Sequence, residues 1–274
     1  MLPSPCAPAV TDTSASARAQ WHLGFKSKAY LPSRRGFDRF VGYYSGIMDY
    51  WKHYVDEDCH NHTGLDLHEG GVGLGHKPGE DVPLYRAGLG EFSTSYFARV
   101  AAEWIVQHAR LSPQPFFLYL AFQGVHSANN KFVQAPSDAI ARFASISPHH
   151  TCGQYTRTGT SSCTAAAMRK SFAANTHVLD SAVGTVVAAL KSARVYETTL
   201  LVFSSDNGGP TDGADANMAS NFPLRGSKAG YYEGGVRAVG LVHGYGLSRR
   251  GYVNTRLHHV SDWVRLVWSR SCDN

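Results

Sequence analysis

Two short apolar runs, each followed by polar side chains beside glycine, constrain this chain more than any other feature. The first covers residues 116–121 and leads into His126, and the second covers residues 200–203 and leads into Asp206 and Asn207. Runs of this length predict buried strands. Because ligands of open α/β sheets bind beyond the carboxyl ends of parallel strands, we expect these three side chains to face one cavity.

Two segments with helical periodicity alternate with these strands. Apolar residues spaced from Phe97 to Trp104 predict a helix that begins at Ser93 or Thr94 and ends before Pro113. A second helix is predicted from about residue 165 to residue 193, and Gly235 to His243 is a candidate for a further strand. The alternation predicts an α/β fold with a largely parallel sheet covered by helices.

The remaining segments are predicted to be irregular. Residues 1–20 are rich in Pro, Ala, Ser and Thr, contain no signal-peptide pattern, and are expected to be unstructured. Residues 55–92 are polar and glycine-rich, which is typical of a surface loop. The segment 127–164 is long enough for a functional lid, but its composition favours a loop-rich insertion in a domain that covers residues 21–274.

Composition indicates a globular protein with a mildly basic surface, which would attract anionic substrates or, as the scattered basic residues favour, has no functional meaning. Apolar residues make up 43% and charged residues 17%, and the net charge is +5 with fourteen histidines besides. The basic residues are scattered, which gives nucleic-acid binding little support. No run approaches the roughly 18 apolar residues of a membrane span. Asn61-His62-Thr63 is a glycosylation acceptor sequence and hints at the secretory route.

Asp206 and Asn207 are the best candidates for metal ligands. Carboxylate and amide oxygens suit calcium or magnesium, and the glycines that follow let the backbone turn beside an ion. An Asp-Asn-Gly turn leaving a strand has the same composition, so a purely structural turn is the alternative. Since calcium takes about six to eight oxygen ligands, two side chains need further partners.

Three further side chains are candidates for contact with an anion or a nucleophile. His126 could donate a proton or bind an anion, Lys228 could reach an anionic group, and His22 could orient a nucleophile. A satisfied structural histidine, a solvated lysine and a packed histidine are the respective alternatives.

Other catalytic signatures are weak. No Gly-x-Ser-x-Gly elbow is present, and His68-Glu69 lacks the second histidine of a helical zinc protease site. His53, Cys59, His60 and His62 contain elements suited to zinc at irregular spacing, so coincidence is favoured.

Taken together, several motifs in one order resemble the sulfatase family, and its arylsulfatases in particular. The order and approximate spacing agree from about Trp21 to Trp268. The motifs are Trp21-His22-Leu23-Gly24-Phe25, Pro32-Ser33-Arg34-Arg35-Gly36-Phe37-Asp38, the segment 117–126, Phe203-Ser204-Ser205-Asp206-Asn207-Gly208-Gly209 and Leu224-Arg225-Gly226-Ser227-Lys228.

The resemblance implies an alkaline-phosphatase-like fold and hydrolysis of sulfate esters by a hydrated formylglycine held beside calcium. By motif position, Asp206 and Asn207 look like calcium ligands, and His126 and Lys228 look like sulfate contacts that help the leaving oxygen depart. His22 looks like the histidine that orients the formylglycine. The resemblance also implies a small-molecule or glycan sulfate ester as substrate and a lysosomal or extracellular location.

The chain departs from the family pattern in two ways. Gln20 stands where the family has a lysine before the Trp-His pair. The paired calcium-binding aspartates and the Cys-x-Pro-x-Arg sequence that is converted to formylglycine have no counterpart before Trp21, and Cys6 lies in a sequence with Val10 in place of the arginine. We therefore expect a piece of a sulfatase, shortened at both ends and inactive by itself.

Two alternatives remain open from the sequence. One is a phosphate or phosphonate ester hydrolase of the same superfamily, with a serine or threonine nucleophile and zinc. The other is a sulfatase-like protein that binds sulfated glycans without turnover.

Overall fold

A computed structural model describes residues 13–57, 62–77, 79–84, 88–129, 132–146, 162–211 and 216–271 of the chain. Its strands are β1 (Ser14–Gln20), β2 (Arg39–Tyr43), β3 (Tyr54–Glu57), β4 (His62–Leu65), β5 (His68–Gly70), β6 (Val82–Pro83), β7 (Phe116–Ala121), β8 (Leu200–Ser204) and β9 (Gly240–Gly244). Its α-helices are α1 (Ser93–Leu111), α2 (Ser137–Ala141), α3 (Ser162–Ser192), α4 (Glu233–Val236) and α5 (Asp262–Ser271).

The main sheet has five strands in the order β6-β5-β2-β1-β7. Its centre is parallel, since β1 pairs in parallel with both β2 and β7, while β5 pairs antiparallel with β2 and with β6. Two antiparallel pairs, β3 with β4 and β8 with β9, form separate small sheets. The predicted α/β class is confirmed, with a mixed sheet that is parallel where β1, β2 and β7 meet.

The prediction that residues 1–20 are unstructured is wrong for Ser14–Gln20, which forms the strand between β2 and β7. Ala17 and Ala19 are buried, and so are Ser16 and Arg18, so this strand lacks the alternation that marks a strand in sequence. Pairing along both edges outweighs the weak strand preference of its alanines and serines. Residues 1–12, with Cys6, lie outside the described residues.

Helices α1 and α3 pack side by side against the strands that carry the site. Ala101, Trp104 and Ile105 of α1 meet Val186, Ala189 and Leu190 of α3 in one buried cluster. Leu118 and Leu120 of β7 and Leu201 of β8 pack against it. The helical periodicity therefore predicted both helices correctly, and their shared core ties β7 to β8.

Two other segments differ in part from the sequence predictions. Residues 55–92 are not simply a surface loop, because they include most of β3 and all of β4, β5 and β6. The strand expected from Gly235 to His243 is β9, which begins later, since Glu233–Val236 forms α4.

The predicted insertion at 127–164 contains α2, and its residues 147–161 are outside the described part. The predicted glycosylation site Asn61 also lies outside the described residues. No described helix is long and apolar enough for a membrane crossing.

Arg18 places a charged group inside the protein. It is 3% exposed, its guanidinium carbon lies 6.0 Å from the centroid of the Trp104 ring, and its Nε and Nη1 atoms have no hydrogen-bond partner among the described residues. Burial, with a smaller contribution from the charge of Arg39, lowers the pKa of this guanidinium to about 10. Folding thus carries the cost of an unpaired buried cation.

We expect Arg18→Met to raise the free energy of unfolding by about 1 to 3 kcal/mol, because it removes the buried charge and keeps the side-chain length. Urea denaturation at neutral pH measures the change. The exposed Arg110 of α1 supplies the control, since Arg110→Met should leave stability within about 0.5 kcal/mol of the parent. A loss of stability in Arg18→Met would mean that the guanidinium makes favourable contacts.

Candidate functional site

The candidate site lies where three parallel strands end at one edge of the main sheet. Ala19 of β1 stands opposite Gly42 of β2 and Ala121 of β7. The segments that leave this edge carry His22 after β1 and His126 after β7. Both histidines therefore follow the carboxyl ends of parallel strands, which is the position that the sequence predicted for His126.

His126 is held in a tight turn after β7. Its backbone N–H donates to the Gln123 carbonyl at 2.8 Å, and the buried Tyr50 hydroxyl donates to the His126 carbonyl at 2.8 Å. Its Nδ1 lies 2.9 Å from the Ser127 carbonyl. Because a carbonyl oxygen only accepts, we assign the ring proton to Nδ1, which leaves the lone pair of Nε2 directed elsewhere.

Lys228 occupies the position that this lone pair faces. The Lys228 Nζ atom lies 3.4 Å from the His126 Nε2 atom, although the two residues are 102 positions apart in the chain. The backbone N–H of Lys228 donates to the Gly209 carbonyl at 3.3 Å, in the segment that follows Asp206 and Asn207. The structure therefore brings together two of the side chains that the sequence singled out. An ammonium beside an imidazole attracts oxyanions.

Asp206 and Asn207 follow β8 directly. Asp206 is exposed, and burial followed by the Asp206 charge raises the pKa of Tyr119, so this carboxylate lies close to β7. The Asn207 Nδ2 atom donates to the Gly208 carbonyl at 2.9 Å. This bond uses the amide nitrogen of Asn207 and does not involve its amide oxygen.

Gly208 lets this segment approach helix α4, which follows the loop that carries Lys228. Its N–H donates to the Gly235 carbonyl at 2.9 Å, and a Cβ atom at position 208 would lie 1.8 Å from the Gly234 carbonyl oxygen. Any larger residue would push the two backbones apart. The glycines that the sequence suggested as turn formers therefore act here through close packing.

His22 reaches the same edge but contacts a different segment. Its backbone N–H donates to the Tyr44 carbonyl at 3.2 Å, and its ring covers Gly46, where a Cβ atom would lie 2.6 Å from Cε1. Gln20, the replacement for the family lysine, donates to the Gly46 carbonyl at 2.7 Å. No hydrogen bond links His22 to Asp206, His126 or Lys228 within the described ranges.

Sequence reasoning missed several residues that hold the site in place. Tyr50, Asn217 and Asn221 are far from the reactive types that a motif search looks for, and each bonds to backbone of the site. Amide and hydroxyl side chains that bond to backbone give no periodic signal. The Asn-Phe-Pro turn at Asn221 was the sole local hint.

The described residues contain no group of three or more His, Cys, Asp or Glu side chains placed to hold a metal ion. His53, from the rejected zinc set, is buried with Nε2 at 3.2 Å from the Glu91 carbonyl, and burial lowers its pKa.

A shallow cavity of about 430 Å³ lies next to the segment that follows His22. It is lined by Leu23, Gly24, Phe25, Lys26, Tyr30 and Arg35.

The fold and this site define an α/β protein in which an imidazole and an ammonium meet beyond the carboxyl end of β7. A family model described as Sulfatase matches residues 15–265. The chain therefore belongs to the sulfatase family.

Individual relatives agree with the family. The chain is 36% identical over 251 residues to Arylsulfatase J of Mus musculus, covering 91% of this chain and 35% of that protein. It is 28% identical over 234 residues to Arylsulfatase A of Homo sapiens, covering 81% of this chain and 38% of that protein. The chain thus spans well under half the length of these relatives.

Solved structures share the fold. The crystal structure of Ps i-CgsB matches with a TM-score of 0.64 and 26% identity, covering 87% of this chain and 46% of that one. The same protein has also been solved in complex with k-i-k-neocarrahexaose, and that structure matches with a TM-score of 0.60.

Proposed function

We propose that the protein to which this chain belongs hydrolyses sulfate esters. The observation that carries the proposal is the 3.4 Å approach of Lys228 Nζ to His126 Nε2 at the carboxyl edge of the sheet. Family membership of residues 15–265 supports the same reaction. The proposed substrate class is a small-molecule or glycan sulfate ester, and the proposed location is lysosomal or extracellular, as the family resemblance implies.

In this proposal, Lys228 and His126 bind the sulfate group and the leaving oxygen. The Lys228 ammonium donates to a sulfate oxygen and offsets the charge that develops as the ester bond breaks. His126 Nε2 accepts a hydrogen bond in the tautomer assigned above, so it must gain a proton before it can donate to the departing oxygen. The Ser127 carbonyl keeps the ring oriented through Nδ1. His22 orients the nucleophile from the neighbouring strand end.

The ligand atoms of Asp206 and Asn207 are of the type that calcium prefers. The exposed carboxylate and the amide oxygen are hard donors, and two of them are fewer than the roughly six to eight oxygens that calcium takes. We propose that they supply part of the ligand set. A bound cation would supply positive charge beside the sulfate oxygens.

We expect the 274-residue chain alone to show no turnover of a fluorogenic aryl sulfate, with or without calcium, because it contains no Cys-x-Pro-x-Arg sequence for a formylglycine. An arylsulfatase assayed beside it serves as the positive control. Turnover that is lost in both His126→Ala and Asp206→Ala would contradict this expectation and show that the chain has another nucleophile.

Binding of sulfated glycans without turnover is the second candidate function. Phe222 is 91% exposed and Tyr231 is 98% exposed, and both lie in the loop that carries Lys228. Exposed rings next to a cation suit a sulfated saccharide, whose apolar ring faces stack on aromatic side chains. A sulfated-glycan array tests this, and Phe222→Ser with Tyr231→Ser should reduce binding while leaving the response to inorganic sulfate unchanged.

A further inference from the structure

Two asparagines four positions apart connect three separate segments of the candidate site. Asn217 and Asn221 lie in the short stretch between the Asp206 turn and the Lys228 loop. Neither residue belongs to the predicted catalytic or metal-binding set. Each uses its side-chain amide on backbone groups of other segments.

Asn221 joins the Asp206 turn to the Lys228 loop through three hydrogen bonds. Its Oδ1 atom accepts from the Gly209 N–H at 2.9 Å, and its Nδ2 atom donates to the Gly209 carbonyl at 2.8 Å and to the Gly226 carbonyl at 3.0 Å. The same Gly209 carbonyl accepts from the Lys228 N–H at 3.3 Å. One amide thus fixes the distance between the segment after Asn207 and the segment before Lys228.

Asn217 joins the same stretch to the His126 turn. It is 3% exposed, and its Nδ2 atom donates to the Val125 carbonyl at 3.0 Å. Its Oδ1 atom accepts from the Ala219 N–H at 3.1 Å, which orients the amide so that its nitrogen faces Val125. The peptide that immediately precedes His126 is therefore anchored to the stretch that also carries Asn221.

We propose that Asn217 and Asn221 act together as positioning residues that set the spacing between His126 and Lys228. The inference rests on the proposed function for the identity of the ligand, an oxyanion such as sulfate. Neither asparagine contacts the anion. Each acts through the backbone of Val125, Gly209 or Gly226, and the Lys228 Nζ and His126 Nε2 atoms are held 3.4 Å apart across loops that share no strand pairing among the described strands.

The reason that positioning matters here is the length of the lysine side chain. Lys228 alone can place its ammonium in many rotamers, and each ordered rotatable side chain costs free energy on binding. Hydrogen bonds to the backbone at Gly209 and Gly226 hold the backbone of Lys228 in place. They therefore limit the positions that the ammonium can reach before the anion binds. Preorganised donors bind an anion more tightly than mobile ones.

Sulfate titration of the full 274-residue chain tests the proposal, with amide and side-chain NMR signals as the readout. We expect Asn221→Ala to weaken inorganic sulfate binding about 10-fold and Asn217→Ala to weaken it by a similar factor, because each loses hydrogen bonds that hold Lys228 or His126 in place before the anion binds. The matched control is Asn254→Ala, in an exposed turn where Asn254 accepts from the Arg256 N–H. Melting midpoints of all variants show whether each remains folded at the titration temperature.

The two variants should differ in where they act. In the absence of sulfate, Asn221→Ala should speed hydrogen exchange of the Gly209 amide and shift the signals of Lys228. Asn217→Ala should instead shift Val125 and the imidazole nitrogens of His126. A purely structural role would lower the melting midpoint and leave the sulfate affinity of the folded chain unchanged.

The outcomes separate the two proposals. If the parent binds sulfate and both folded variants bind it equally well, the positioning role is wrong and the proposed function stands. If the parent does not bind sulfate, the proposed anion site fails for this chain. The positioning inference is then decided by the sulfate-free spectra, where unchanged His126 and Lys228 signals in both variants would overturn it.

Discussion

Lys228→Met should bind inorganic sulfate about 30-fold more weakly than the parent chain, the largest binding effect that we expect from a single substitution. Hydrogen bonds to charged groups contribute about 1.5 to 3 kcal/mol, which is roughly 10-fold to 100-fold in affinity. Lys228 provides the ammonium 3.4 Å from His126 Nε2, and methionine keeps most of its length without the charge. The loss should therefore come from the missing cation and not from a rearranged loop.

Isothermal titration with sulfate at low salt measures the effect, because salt weakens the attraction between the ammonium and sulfate. Lys52→Met is the matched control, since Lys52 is an exposed lysine outside the site. We expect this control to bind as the parent does. Equal losses in both variants would mean that sulfate responds to net charge, which would remove the basis for a specific site.

Gly42→Ala should destabilise the chain by about 3 kcal/mol, at the upper end of the usual cost of overpacking. A Cβ atom at position 42 would lie 1.9 Å from the Ala19 carbonyl oxygen, and 2.9 Å from Cε2 of Phe40. Ala19 and Gly42 are paired partners in β1 and β2, so the strands would have to separate at the centre of the sheet. Both strands lead into the segments that carry His22 and Gly46.

Urea denaturation measures this loss, and Gly64→Ala in β4 is the control. A Cβ atom at position 64 has no neighbour within 4 Å, so that substitution should change stability by less than about 1 kcal/mol. A Gly42→Ala chain as stable as the parent would mean that β1 does not pair with β2 in the register described.

The parts of the fold that were predictable from sequence are those with strong local signals. The runs at 116–121 and 200–203 form β7 and β8, and the apolar spacing around Trp104 correctly indicated α1. Helix α1 buries one face, which leaves a periodic record in the sequence. The prediction that both strands are buried is wrong, since Tyr119 of β7 and Val202 of β8 are exposed, because β7 is an edge strand of the main sheet and β8 pairs only with β9 among the described strands. The cavity predicted to be shared by His126, Asp206 and Asn207 stays a prediction, while the structure places Lys228 Nζ 3.4 Å from His126 Nε2.

The parts that could not be predicted depend on contacts between distant segments. Strand β1 is built from alanine, serine, one arginine and one glutamine, and only its pairing with β2 and β7 makes it a strand. The antiparallel pairing of β8 with β9 likewise has no local signal. Asn217 and Asn221 carry no reactive group, and their importance follows from which carbonyl groups lie within reach.

The roles of Asp206, Asn207 and His22 are proposals that rest on where these residues lie in the fold. Asp206 lies near Tyr119, and Asn207 keeps its amide oxygen directed away from the Gly208 bond. His22 meets Gly46 at the neighbouring strand end. All three leave strand ends, which is where the sequence motifs put them.

A sulfate titration followed by NMR tests most directly whether one pocket gathers these groups. The account predicts that the His126 imidazole and the Lys228 ammonium signals shift together with a single dissociation constant, and that the amides of 206–209 shift with them. Shifts confined to the cavity lined by Leu23, Lys26 and Arg35, with His126 and Lys228 unchanged, would contradict it.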